Sequence, residues 1–176
     1  MAELDAVQIQ FEDDSPFQRE PISVYELTRY LHHFRAAYAT AATAARRAPE
    51  ERDTRQSSHD ALTEYVRQID SFAHQLRVTL RKSPPDSIDA LAETPLPVEL
   101  VITQISYNSP LQLVFGGSIV ALVAAIILSG GEITVSQRSL HAKLPPIGTG
   151  IVKLREAFNV PLDPSREKRK IKAKHD

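Results

Sequence analysis

The sequence predicts an α+β fold: an N-terminal antiparallel helical hairpin, then a small β-rich part containing one strongly apolar helix. Three observations carry this. Two apolar stripes of helical period occupy the first half. Runs of alternating or β-branched residues occupy the second. Between those runs lies an uncharged window, Leu111 to Ser129, with Gln112 and two serines as its only polar side chains.

With 176 residues, 42% of them hydrophobic and 24% charged, the chain has the size of one domain with appendages and can bury a sizeable core. The absence of cysteine removes disulfides, thiolate nucleophiles and Cys-ligated metal sites. The net charge of −1 hides an asymmetry. Residues 1–100 hold 11 Lys and Arg against 17 Asp and Glu, a net of −6, whereas residues 101–176 hold 10 against 5, a net of +5. All six glycines lie beyond position 115. The expected organisation is a strand plus hairpin over residues 1–82 and a Pro-rich linker over 83–97. A strand, apolar helix, β-hairpin and short helix follow over 98–162, then a disordered basic tail over 163–176. The first twenty residues are acidic and lack an apolar run, so no secretory leader is expected. The Ala- and Arg-rich composition resembles that of proteins from GC-rich bacteria.

Ala6 to Phe11 alternates apolar and polar, the pattern of a half-buried strand, and Asp13-Asp14-Ser15-Pro16 stops it. Ser23 followed by Glu26 is a capping box, in which two side chains satisfy orphan N–H groups at a helix start. Val24, Leu27, Leu31, Phe34, Tyr38, Ala41 and Ala45 then step by three and four residues, predicting a helix from Val24 to Arg47. After a polar loop, Leu62, Tyr65, Ile69, Phe72, Leu76 and Leu80 form a second stripe. Two such helices most simply make an antiparallel hairpin whose stripes (Leu27, Leu31, Phe34, Leu62, Ile69 and Phe72) cover each other and a further surface.

The apolar window supports two readings. In one, Ser109 caps and Pro110 opens a helix of about 20 residues, roughly 30 Å long, the thickness of a bilayer core. In the other, Leu111 to Phe115 is a strand, Gly116-Gly117 a turn, and only Ser118 to Ser129 is helical, too short to span. Gly117, Ala121, Ala125 and Ser129 recur every four residues, a ridge of small side chains that lets backbones approach closely. Basic residues follow the window and acidic ones precede it, so a spanning helix would place the C-terminus in the cytoplasm. Val98 to Tyr107 reads as a strand, and Glu132–Ser136 with Leu140–Leu144 as a β-hairpin. Gly148-Thr149-Gly150 is expected as a turn that swings a last helix, Ile151 to Phe158, back onto the sheet. It lacks the remaining residues of a phosphate loop.

No nucleophile–base pair, nucleotide loop or metal-ligand spacing is present, so neither catalysis nor a cofactor is expected. His32 and His33 adjoin and point about 100° apart on a helix, and no HExxH occurs. Arg67 and His74, with six residues between them, resemble the Arg…His spacing of HEPN-type ribonucleases, which implies RNA cleavage as a third possibility. The leading expectation is a non-enzymatic protein that associates with itself and with a membrane through Gly117, Ala121, Ala125 and Ser129. The alternative is a soluble oligomeric adaptor with the apolar helix as core. In the tail, Arg166, Lys168, Arg169, Lys170, Lys172 and Lys174 are candidates for contact with anionic lipid; nothing in it stacks on bases, so nucleic acid is not the expected partner.

Overall fold

The computed structural model describes residues 6–11, 23–44, 48–52, 57–85, 87–106, 111–136 and 139–160. The architecture is mixed α+β, with five strands in one sheet and five helices among these residues. The strands are β1 (Ala6–Phe11), β2 (Val101–Ser106), β3 (Gln112–Gly116), β4 (Glu132–Ser136) and β5 (Ser139–Leu144), and the helices are α1 (Val24–Thr43), α2 (His59–Lys82), α3 (Ile88–Ala92), α4 (Ile119–Leu128) and α5 (Ile147–Ala157).

The sheet order is β2-β3-β1-β5-β4. β1 runs antiparallel to β3 and parallel to β5, and β4 is antiparallel to β5. A strand from the acidic first half therefore sits at the centre of a sheet whose other strands all come from the second half. Alternation does the sorting. Val7, Ile9 and Phe11 join Leu113, Phe115, Leu140, Ala142 and Leu144 on the buried face, while Gln8, Gln10, His141 and Lys143 face out. One hydrophobic core draws on both halves of the chain.

Helices cover the buried face. α1 lies on the sheet through its aromatic side chains: Phe11 meets Tyr30 edge-on, Tyr30 stacks on Phe34, and Phe34 tilts against Phe115, with centroids 5.3, 5.7 and 5.4 Å apart. α1 also packs on α3, α4 and α5, and α2 packs on α4. Tyr38 of α1 touches Gly117 just before α4, and Tyr30 lies by Ser129 just after it, so α1 and α4 run antiparallel. α2 runs the other way. Its Tyr65 accepts from the Arg52 amide, next to the Glu51 that caps the start of α4, while its Arg77 guanidinium donates to Ile127 O at the end. α1 and α2 are thus opposed in direction, and both pack on α4 rather than mainly on each other.

The short reading of the apolar window is the one observed: β3, a turn at Gly117, then ten residues of α4. The helix is about 15 Å long, half a bilayer core. Among the described residues no helix is long and apolar enough to cross a membrane. α4 ends in a Schellman cap, with Gly130 at φ 82°. The Gly130 N–H donates to Ile127 O and the Gly131 N–H to Ile126 O, at 3.1 and 2.9 Å. Asn159, at φ 54°, closes α5 in the same way.

Two boundaries and one helix face differ from expectation. Residues 83–97, expected as linker, contain α3, capped by Ser87 and held to α1 by a His32–Asp89 pair at 2.7 Å, while Arg35 donates to Thr94 O just after α3 at 3.2 Å. α5 begins at Ile147, so Gly148 and Gly150 are helical rather than a turn. A Cβ at Gly150 would lie 2.6 Å from the Tyr30 ring, so the glycine there serves close helix packing. The stripe of α1 is also rotated. Val24 is 79% exposed and Leu27 and Leu31 are half-buried, whereas Tyr30, Ala36, Ala37 and Ala39 are enclosed, because α1 is surrounded on several sides rather than one.

Candidate functional site

Two places in the fold stand out: a knot of hydrogen bonds at the start of α4, and the β2 edge of the sheet. At the first, Tyr38 is fully buried, and its hydroxyl donates to Val98 O at 2.9 Å while accepting from the Ser118 N–H at 2.8 Å. Burial, above all, pushes this phenol above its ordinary range, so it stays protonated and able to donate. A Cβ on Gly117 would come within 2.7 Å of the same hydroxyl, which is why the smallest residue stands there. Glu51 completes the knot. Its carboxylate accepts from the Ser118 hydroxyl and from the Val120 N–H, placing a negative charge at the positive end of α4. An open cavity of about 290 Å³ lies beside it, lined mostly by Ala41, Ala42, Pro49, Pro97, Val98 and Val120. Its acidic group, Glu51, is already committed to the helix end.

At the second place, β2 has β3 as its principal neighbour, and among the described residues none of the helices packs appreciably on it. Ile105 is 58% and Ile102 38% exposed. Both belong to the core-facing row, since Ile102 pairs with Phe115 and Ile105 with Leu113, each buried. The opposite edge, β4, is different: α2 and α4 pack on it, and Glu132 stands on it.

The residues singled out in the sequence divide clearly. Gly117, Ala121, Ala125 and Ser129 are all enclosed, and the two ends of this ridge face Tyr38 and Tyr30 of α1. The close approach that small residues permit is used inside the molecule, so contact with lipid or a second chain through these atoms would require opening the core. Phe34, Leu62, Ile69 and Phe72 are likewise buried in the chain's own core. Arg67 and His74 both lie exposed on α2, two turns apart, and neither lines the cavity. Arg67 donates twice to Glu64, at 2.8 Å each, and this pairing pulls the Glu64 carboxyl down to about 2. Arg166, Lys168, Arg169, Lys170, Lys172 and Lys174 lie outside the described residues.

The sequence reading did not single out Tyr38, Glu51 or the β2 edge. Tyr38 looked like one more stripe residue and Glu51 like a loop charge. Their shared role depends on residues 67 to 80 positions further along the chain. Comparison with protein-family models, with curated proteins and with solved structures finds no match to this chain.

Proposed function

We propose that the protein is a non-enzymatic interaction module that associates with itself, its apolar helix serving as core. One observation carries this reading: among the described residues β2 is an uncharged sheet edge without a helix packed closely on it, and two isoleucines of the core-facing row stand exposed on it. Sheet edges are normally blunted by charge, proline, a bulge or a covering element, because their free backbone groups recruit another strand, and of these β2 carries only the bulge. VITQIS contains no charged residue and no proline. The expected result is a single, discrete oligomer by light scattering and analytical ultracentrifugation without detergent. A monomer at every concentration would overturn the reading.

A contact of the basic residues 166–174 with the inner face of a membrane is a separable proposal, supported by six Lys and Arg in the last twelve positions. Each basic residue near an anionic surface contributes about 1 kcal/mol. The full chain should co-sediment with phosphatidylserine-containing vesicles at low salt, and a chain ending at residue 164 should not; equal sedimentation of the two would exclude the tail.

A further inference from the structure

We infer that the partner at β2 is a second copy of the same chain, paired antiparallel about a two-fold axis with Ile102 of each copy opposite Ile105 of the other. This rests on the self-association proposed above and names its geometry.

The argument begins with a register shift. β2 and β3 pair regularly except between Ile102 and Gln104, where Thr103 is the additional residue. Its hydroxyl donates to Val114 O at 3.2 Å, holding the irregularity in place. Residues three apart on a regular strand face opposite sides. The extra residue changes that, so Ile102 and Ile105 lie opposite Phe115 and Leu113 on the same, core-facing side. The result is a pair of apolar side chains, symmetrically disposed about the middle of a six-residue strand.

Such a strand matches itself. If Ile102 of one copy stands opposite Ile105 of the other, then Ile105 stands opposite Ile102 and Val101 opposite Ser106, with Gln104 at the axis and Thr103 the additional residue of each strand. Both isoleucines of each copy are then covered by those of the other. Charge selects the same partner. A two-fold axis brings a strand against its own sequence, so any charge near the axis meets its like, and opposed like charges destabilise a pair. Residues 101 to 131 carry no charge at all. At the other edge, Glu132 would be drawn into any such pairing. The two sheets would join through β2 into one of ten strands, isoleucine meeting isoleucine beside the helix layers. An isologous contact of this kind closes at the dimer.

The absence of cysteine makes the test clean, because an introduced thiol is the only one in the chain. Ile102→Cys and Ile105→Cys are prepared separately; both sites are partly exposed, so the fold is expected to persist, checked by circular dichroism. Opposite residues place Cβ atoms roughly 4.5–5.5 Å apart, close to disulfide reach. Two copies of position 102 would be offset along the strands by the separation of Ile102 from Ile105, beyond that reach. Under mild oxidation, an equimolar mixture of the two variants should therefore form a disulfide dimer that neither variant forms alone. Ile105→Lys should shift the wild-type oligomer to monomer in sedimentation equilibrium. If the wild-type chain self-associates, but the mixture cross-links no faster than the separate variants and Ile105→Lys remains oligomeric, the β2 pairing is wrong while self-association stands. If the wild-type chain is monomeric throughout, both readings fall.

Discussion

Replacing Tyr38 with Phe removes one oxygen atom from the molecule and keeps the ring that packs against Gly117. That oxygen makes two hydrogen bonds, to Val98 O and from the Ser118 N–H. Leaving a buried donor unpaired costs about 1–3 kcal/mol. The Ser118 N–H, half-buried and next to enclosed Gly117, would lose its acceptor. The Val98 carbonyl belongs to a residue 41% exposed, so water can replace its partner and its loss is smaller, about 0.5–1 kcal/mol. Glu51 still accepts from the Ser118 hydroxyl and the Val120 N–H, so the helix does not unwind further. The expected loss is about 2–3 kcal/mol, or roughly 5–10 °C in Tm for a chain of this size. Urea denaturation followed by far-UV circular dichroism measures it, with an unchanged slope because the surface exposed on unfolding is the same. Hydrogen exchange at the Ser118 amide should accelerate in parallel. A loss below about 0.5 kcal/mol, with that amide still protected, would show that the hydroxyl does not hold the start of α4.

Two neighbouring glycines should respond in opposite directions. Gly150→Ala forces a Cβ to within 2.6 Å of the enclosed Tyr30 ring and should destabilise by about 1–3 kcal/mol, whereas Gly148→Ala enters open space on the same helix and should stabilise by about 0.4–1 kcal/mol; thermal melts of both compare them directly. Burial, first of all, holds the His33 imidazole below its ordinary range. The folded state thus favours the neutral ring, and the stability this lends above pH 6.5 is lost as pH falls through the lowered folded value. Urea midpoints at neutral and mildly acidic pH should fall further for the wild-type chain than for His33→Gln. The Glu64 carboxyl, drawn down to about 2 by Arg67 and Gln68, should return toward the ordinary range in Arg67→Ala, as read by carboxyl NMR titration.

Much of the local structure was legible because its causes are local. The start of α1 at Val24 follows Ser23 in the sequence, although the Ser23 side chain makes no capping bond there and the helix relies on its backbone. The end of α4 is written in Gly130, which alone among the residues of that turn adopts a positive φ. β1, β4 and β5 follow the alternation of VQIQF, EITVS and LHAKL. α3 is not legible in the sequence because five residues between prolines have no period, and it is held by His32 of α1 as well as by its own cap. The β2 edge was half legible. VELVITQISY reads as a strand, but whether a strand is central or at an edge depends on which other strands find it.

The sequence by itself determined the kinds of element and where most of them stop, since period, caps and glycines act within a few residues. It also determined that residues 119–128 must be hidden from water, because a helix apolar on every side has no face to show it. It did not determine what would do the hiding. An all-apolar helix carries no directional pattern, so lipid, a second chain and the chain's own interior satisfy it equally. Tertiary structure decided in favour of the interior: α1 presents alanines and tyrosines to the small-residue ridge, α2 closes the other flank, and β1 crosses from the acidic half to the middle of the sheet. Among the described residues the same packing, centred on α4, left β2 as an edge with no helix packed closely on it. The two halves that differ so much in charge thus share one core, and the apolar surface left uncovered lies beside the window that drew attention in the sequence.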